Sequence, residues 1–357
     1  MKSKVYFIDF HTTFQRSILD KIGDALSQAG FKDTVREHDK VAVKMHFGAE
    51  TNFGVINPRY VRYFVDKILA LDAKPFLTDT NTLYAGHRVN SVDHSKLATR
   101  HGYTQSVVNA PVIIADGLVG QSEEIVKVDT KETKEAYIGS DIHHADAILA
   151  LTHMTGHEAA GFGASIKNIG MGCASRKGKL AMHSSSRPAI SADRCVGCAR
   201  CVQWCQVQAI SIKEDGKAHI DEKVCTGCSM CISVCPFSAI RIKWNTSADF
   251  LNTKITEYAH AVTSHKKDKM FYVNFINNLT RHCDCMNIHG EHLLPDIGIL
   301  FSKDIVAVDR ASIDLINEKA GKNLFEELFP DIKLENVFSY AEKLGMGSSD
   351  YELVKIK

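Results

Sequence analysis

No stretch of this 357-residue chain approaches the ~18 uncharged apolar residues that a membrane helix requires. Its longest apolar runs are short segments such as Ala147 to Leu151, so no membrane partner is expected. An excess of one charge is missing too. Lys+Arg 43 against Asp+Glu 42 leaves +1, which gives no global field to hold a polyanion and argues against nucleic acid as a partner. The opening MKSKVYFIDFH reaches Asp9 too soon for a secretory apolar region, and a cytoplasmic location is expected. There is no GxxxxGK[ST] phosphate loop, and no GxGxxG follows the first strand candidate, so neither a Walker site nor a Rossmann dinucleotide site has support. With 45% hydrophobic and 24% charged residues, disorder, collagen and coiled coil are excluded as accounts of the whole chain. The length corresponds to roughly two domains at ~150 residues each.

What is present begins with alternation. Val5–Ile8, Val41–Val43, Pro75–Thr78, Val112–Ile114 and Ala147–Leu151 are strand candidates, and helix-period segments fall near Arg16–Ala29, Pro58–Leu71 and His94–His101. Strand then helix, repeated, predicts an α/β host domain: a mixed or mostly parallel sheet with flanking helices. Ser184-Ser185-Ser186-Arg187-Pro188 reads as a linker. After Trp244 the pattern resumes, with strand candidates Phe271–Ile276 and Ile305–Val308 and helices over Ser312–Lys319 and Leu334–Lys343. The segment between is therefore expected to be an insertion, giving host residues 1–187, an inserted unit 188–245, and host residues 246–357.

Eight of the eleven cysteines fall between Cys195 and Cys235, which in a reducing compartment points to metal ligation and away from disulfides. They form a repeat. Cys195, Cys198, Cys201 and Cys205 are matched, thirty positions on, by Cys225, Cys228, Cys231 and Cys235, and each set is followed by a similar tail, Gln208–Ile212 and Ser238–Ile242. Paired Cys-x2-Cys also builds zinc sites, but a third cysteine at x2 and a fourth at x3, twice over, has no economy as zinc binding. The block resembles the bacterial two-cluster ferredoxin family, with Pro236 after its last cysteine and Gln206 where the first repeat would carry that proline. The resemblance implies an α+β fold and two [4Fe-4S] clusters: one on Cys195, Cys198, Cys201 and Cys235, the other on Cys225, Cys228, Cys231 and Cys205. A redox partner of the ferredoxin type or another electron carrier is implied with them.

The host carries a second signal. His143, His144, His153, His157 and His183 surround a glycine-rich stretch that also holds Lys167 and Cys173. Imidazole and thiolate suit Zn, Ni, Fe or Cu, and His153 and His157 follow a strand candidate, where open α/β sheets place ligands. The alternative is a set of ordinary core and surface histidines. The run His157-x3-Gly161-Phe162-Gly163-Ala164-x2-Lys167, with His183 beyond it and Gly86-His87-Arg88 before it, resembles the lactate racemase family. That resemblance implies Lys167 as an attachment or anion-binding lysine, His183 as a metal ligand, and His87 and His157 as proton-transfer groups. Gly163-Ala164 stands where that family has Gly-Gly, and the cysteine block is foreign to it. The whole chain is more similar to a family of uncharacterised proteins described as a domain of unknown function with a ferredoxin module. Lys167-Asn168, Cys283-x-Cys285 and Asp296-Ile297-Gly298-Ile299 are among the shared features.

Cys283 and Cys285 can present two thiolates to one metal or pack as small apolar residues. Cys173 is a candidate third ligand, so Cys173, Cys283 and Cys285 make a candidate third metal site of unassigned identity. The leading expectation is an iron–sulfur redox enzyme whose ferredoxin module exchanges electrons with a small anionic substrate, or a metal, held near Lys167, His157 and His183. The alternatives are a non-catalytic electron carrier or docking scaffold, and a racemase-like isomerase.

Overall fold

The computed structural model describes residues 2–184 and 187–356; Ser185 and Ser186 of the expected linker lie outside them. The framework is one eight-stranded sheet. Its strands are β1 (Ser3–Ile8), β2 (Lys40–Lys44), β3 (Lys74–Asp79), β4 (Val112–Ile114), β5 (Ala147–His153), β6 (Met270–Ile276), β7 (Gly298–Ser302) and β8 (Tyr351–Lys355). They lie in the order β8-β1-β7-β6-β5-β2-β3-β4. β7 runs antiparallel to both neighbours, β1 and β6, and every other pairing is parallel. The sheet is thus mixed and mostly parallel, as the alternating pattern predicts.

Such strands are covered on both faces, which is why they read as continuous apolar runs. All seven residues of β5 are buried. Ala147, Leu149 and Leu151 join the core under α1 (Ile18–Gln28), α2 (Pro58–Leu69) and α3 (Ser91–Arg100), while Ile148 and Ala150 join the core on the other face. That second face is covered by α4 (Ser165–Gly170), α5 (Arg176–His183), α6 (Ala248–Lys266), α7 (Ile305–Ala320) and α8 (Glu335–Lys343).

One expected strand is corrected. Ile305–Val308 is the first turn of α7, because Asp304 caps it: its Oδ1 accepts from the N–H groups of Val306 and Ala307, each at 2.9 Å. A helix buried along its length shows an unbroken apolar run, which periodicity alone cannot tell from a buried strand.

The cysteine block is placed between α5 and α6. Its copies fold alike: Gly197 and Gly227, Ala199 and Ser229, and Gln208 and Ser238 all take positive φ at equivalent positions. Strand pairs Ala189–Ile190 with Ile240–Arg241, and Ile210–Ile212 with Ala218–Ile220, close the two halves. The apolar cluster within the block includes two residues of the host, Leu83 and Leu180. No helix among the described residues is long and apolar enough to cross a membrane.

α4 lies close against α6, and glycine makes this approach feasible: a Cβ on Gly170 would stand 2.1 Å from the Ile255 carbonyl oxygen. Gly170→Ala is therefore expected to lower stability by roughly 1–3 kcal/mol, the usual cost of overpacking, read as an earlier urea midpoint.

Candidate active-site cavity

Parallel strands aim their carboxyl ends at one rim of a sheet, and ligand sites collect there. Here β2 ends at Lys44, β3 at Asp79 and β5 at His153, and all three line a cavity of about 310 Å³.

Its floor is ionic. Lys44 Nζ lies 3.0 Å from Asp79 Oδ1 with both side chains almost wholly buried, and it donates to Asn168 Oδ1 at 2.7 Å. Burial alone would push the Asp79 carboxyl up, but Lys44, followed by His46 and His94, holds it well below the ordinary carboxylate range. Lys179, from α5, donates to the Asn81 carbonyl at 2.7 Å, the Ala174 carbonyl at 3.0 Å and the Thr80 hydroxyl. Burial lowers its pKa to about 8.

α4 supplies Lys167 and Asn168, and its first turn is fixed from below. The Asp309 carboxylate accepts from Ser165 N at 2.9 Å and Ile166 N at 2.8 Å, and burial raises this carboxyl to about 7. Lys167 Nζ reaches Cys283 Sγ at 3.6 Å. Burial works against the ammonium, yet the facing Cys283 and Cys285 raise its pKa above the ordinary value. The Cys283 thiol is lowered to about 5, first by the hydrogen bond from Cys285 and then by the Lys167 charge, against burial.

The opposite wall is the loop after β3. Arg88 places Nη1 2.6 Å from His46 Nε2 and donates Nη2 to both the Tyr84 hydroxyl and the Cys285 carbonyl at 2.8 Å. Tyr84 donates to that same carbonyl at 2.8 Å. Burial depresses the pKa of His46 well below its ordinary value, and Arg88 adds to this, so the ring is neutral.

His157 projects from the hairpin of 155–157 and 161–163, which abuts the 280s loop so tightly that a Cβ on Gly156 would meet the Arg281 carbonyl oxygen at 2.3 Å. His157 Nδ1 accepts from Ala159 N at 3.2 Å and Ala160 N at 3.1 Å. Burial, then Lys167, holds its pKa well below the ordinary value. His183, at the end of α5, is lowered to about 3 by burial and meets Trp244 edge-on, ring centres 4.7 Å apart.

Three of the four candidate catalytic residues, Lys167, His157 and His183, therefore line one cavity. His87 does not: it turns outward, half-exposed, to Glu50 at 2.7 Å, and its neighbour Arg88 lines the wall instead. His143 and His144 also stand apart, stacked on His265 and paired with Glu124. Of the candidate third metal site, Cys283 and Cys285 come together, but Cys173 is buried in the core with its thiol pushed up to about 12 by burial. The residue that completes the group is His157, whose ligand atom lies within 4.8 Å of both sulfurs. This is a metal-ligand type of donor set. Sequence reasoning missed His46, Lys44, Asp79, Tyr84 and Lys179 as cavity residues. The signal that could have found two of them is an ionisable residue closing an apolar strand, as in Val41-Ala42-Val43-Lys44 and Phe76-Leu77-Thr78-Asp79.

The cysteine block meets this site through α5 and the loop after β3. Arg176, fully buried, donates to the carbonyls of Val89 at 3.0 Å and Leu83 at 3.2 Å, to that of Thr82, and across to Ser229 in the block at 3.2 Å. Trp244, at the block's far end, lines the cavity beside Tyr84 and His183.

Residues 41–314 match the family described as a domain of unknown function, DUF362, and the chain belongs to that family. Among solved structures it is similar to the lactate racemase apoprotein of Thermoanaerobacterium thermosaccharolyticum, at 11% identity and a TM-score of 0.46, over 89% of this chain and 58% of that one. A protein of Thermotoga maritima is similar at 10% identity and a TM-score of 0.35, over 90% of this chain and 59% of that one. The chain thus spans under two thirds of either structure. No curated protein matches it.

His153 carries a pH test. Its Nδ1 lies 2.8 Å from Asp284 Oδ2 and its Nε2 2.6 Å from the Asn277 carbonyl, so both nitrogens donate and the ring is an imidazolium. Burial opposes the charge, but Asp284 raises the pKa above the ordinary 6.5. A pKa raised on folding gives stability that is complete below the ordinary value and is lost as pH climbs through the raised one. The melting-temperature gap between the native protein and His153→Gln should therefore be widest below about pH 6.5 and narrow as the pH climbs above it. A gap that widens with pH would contradict the imidazolium assignment.

Proposed function

We propose that this chain is an iron–sulfur redox enzyme. Its cysteine block, residues 188–245, is a ferredoxin-like insertion carrying two [4Fe-4S] clusters, and these exchange electrons with a small anionic molecule held in the host cavity. The carrying observation is that the block builds part of the cavity wall: Trp244 closes it beside His183, and Arg176 spans from the cavity loop to Ser229, between Cys228 and Cys231. A detached carrier has no need of a joint wall.

The cysteine groupings support crossed ligation. Cys195, Cys198, Cys201 and Cys235 line one small cavity, and Cys225 has Cys228 and Cys205 as its charged sulfur neighbours. Backbone N–H groups point at sulfur in equivalent places, Ala209 at Cys205 at 3.2 Å and Ala239 at Cys235 at 3.4 Å, a contact that tunes cluster potential. When bound, the clusters supply one-electron transfer.

The host residues supply recognition. Lys167, Lys179 and Arg88 are cations lining the cavity, set against the Cys283 thiolate when Lys44 is paired with Asp79, His153 with Asp284 and the lining Glu158 with His282. The surplus favours a small anion, which Lys167 anchors. His157 and His183, both neutral, offer hydrogen bonds and not charge. The electrons come from a redox partner that docks on the block.

Protein purified without oxygen should hold about eight irons and about eight acid-labile sulfides per chain, and Cys228→Ser should lose about half of each, counted by metal and sulfide analysis. Lys167→Ala should keep all the iron but lose the reoxidation of dithionite-reduced clusters by small carboxylates or oxyanions that the native protein supports. Zinc in place of iron, or reoxidation indifferent to Lys167, would sink the reading.

A further inference from the structure

The group His157, Cys283 and Cys285 invites a metal, yet its hydrogen bonds speak for different chemistry. A neutral imidazole has one proton and one free lone pair. The His157 lone pair on Nδ1 is already engaged by two backbone N–H groups, from Ala159 and Ala160, so the proton resides on Nε2 and neither nitrogen has a lone pair left for a metal. Metal-binding histidines do the reverse, donating from their second nitrogen to an acceptor. The charge of Cys283 Sγ is already answered by the Lys167 ammonium at 3.6 Å, with no need of a metal.

What remains is two sulfurs on one turn. Met286 N bonds to the Cys283 carbonyl at 2.9 Å, which folds Cys283 and Cys285 toward each other, and Cys285 N points at Cys283 Sγ at 3.5 Å. The turn is clamped from both flanks. The Asp284 carboxylate is held by His153 at 2.8 Å, and the Cys285 carbonyl by Arg88 and Tyr84 at 2.8 Å each. Clamping fixes where the two sulfurs stand, within 4.8 Å of each other, and the small ring that a Cys-x-Cys bridge closes is strained and hence easily reduced.

We propose that Cys283 and Cys285 are a dithiol–disulfide couple that stands between the clusters and the molecule in the cavity. This rests on the iron–sulfur reading above. The stoichiometry is self-consistent: the S–S bond breaks with two electrons, one from each cluster, and one proton. The proton goes to Cys285 Sγ, and Cys283 Sγ is left as a thiolate beside Lys167. The spent clusters are reloaded by a low-potential one-electron carrier. The couple thereby turns two single-electron arrivals into one electron pair, which a closed-shell substrate can accept.

The test follows one tryptic peptide, His282 to Lys303, whose only cysteines are Cys283 and Cys285. The full chain, prepared without oxygen, is treated with one equivalent of diamide, and cluster reduction is then driven by light and deazaflavin; at each stage the peptide is alkylated with iodoacetamide and weighed. The expected result is loss of both alkylation sites after diamide and return of both on illumination. In Cys228→Ser illumination should restore neither, although dithiothreitol restores both, which shows a folded protein with a reachable bridge. Alkylation of both cysteines after diamide, in protein with full iron, would overturn the couple and leave the cluster reading standing. Equimolar zinc or extra iron that disappears in Cys283→Ser would overturn it in favour of a metal centre. Absence of iron from the cysteine block would remove the cluster reading itself and the electron source with it.

Discussion

A lysine and an aspartate, buried at the ends of two neighbouring parallel strands, set the terms for everything above them. The side chains of Lys44 and Asp79 are almost wholly buried, and an uncompensated charge at such depth costs several kcal/mol. The pair therefore fixes the register of the strand ends against each other and fixes Asn168, which Lys44 also bonds. Because Lys44 and Asp79 neutralise each other, the cations above them, Lys167 and Arg88, are not cancelled from below. The anion proposed for the cavity would thus be favoured by what its floor does not offer.

The frame of the host was legible because burial on both faces writes itself as apolar runs. Val41–Val43, Pro75–Thr78, Ala147–Leu151 and Phe271–Ile276 all lie in strands. The same rule misled at Ile305–Val308, where burial on all sides hides the helical period and only the Asp304 cap reveals it. Gly298–Ser302, the one antiparallel member, carried too little pattern to announce a strand.

The site was legible in part, and the dividing line is physical. Lys167, His157 and His183 lie on one glycine-rich stretch whose local turns bring them to one rim. Lys44, His46, Asp79 and Arg88 reach that rim only through the sheet order, with β2 inserted between β5 and β3, and no local pattern encodes such neighbours. The exchange of Cys173 for His157 is of this kind. Cys173 follows α4 into the core, while a hairpin carries His157 across to the 280s loop, a proximity visible only once Gly156 is seen against Arg281.

The cysteine block interrupts the chain between β5 and β6, which are direct neighbours at the centre of the sheet, with Ile148 opposite Met270. This placement has a consequence for synthesis. During translation the first half of the host emerges with an open central edge, and its mate follows only after the whole block has been made. Contacts of such long sequence separation form slowly, and unpaired strand edges invite aggregation. A block that gathers its own structure early draws α5 and α6 together and shortens the search that β6 must make. If the block holds the proposed clusters, their assembly and completion of the sheet would be successive stages of one folding event, and cells starved of iron would accumulate the chain with its central seam unclosed.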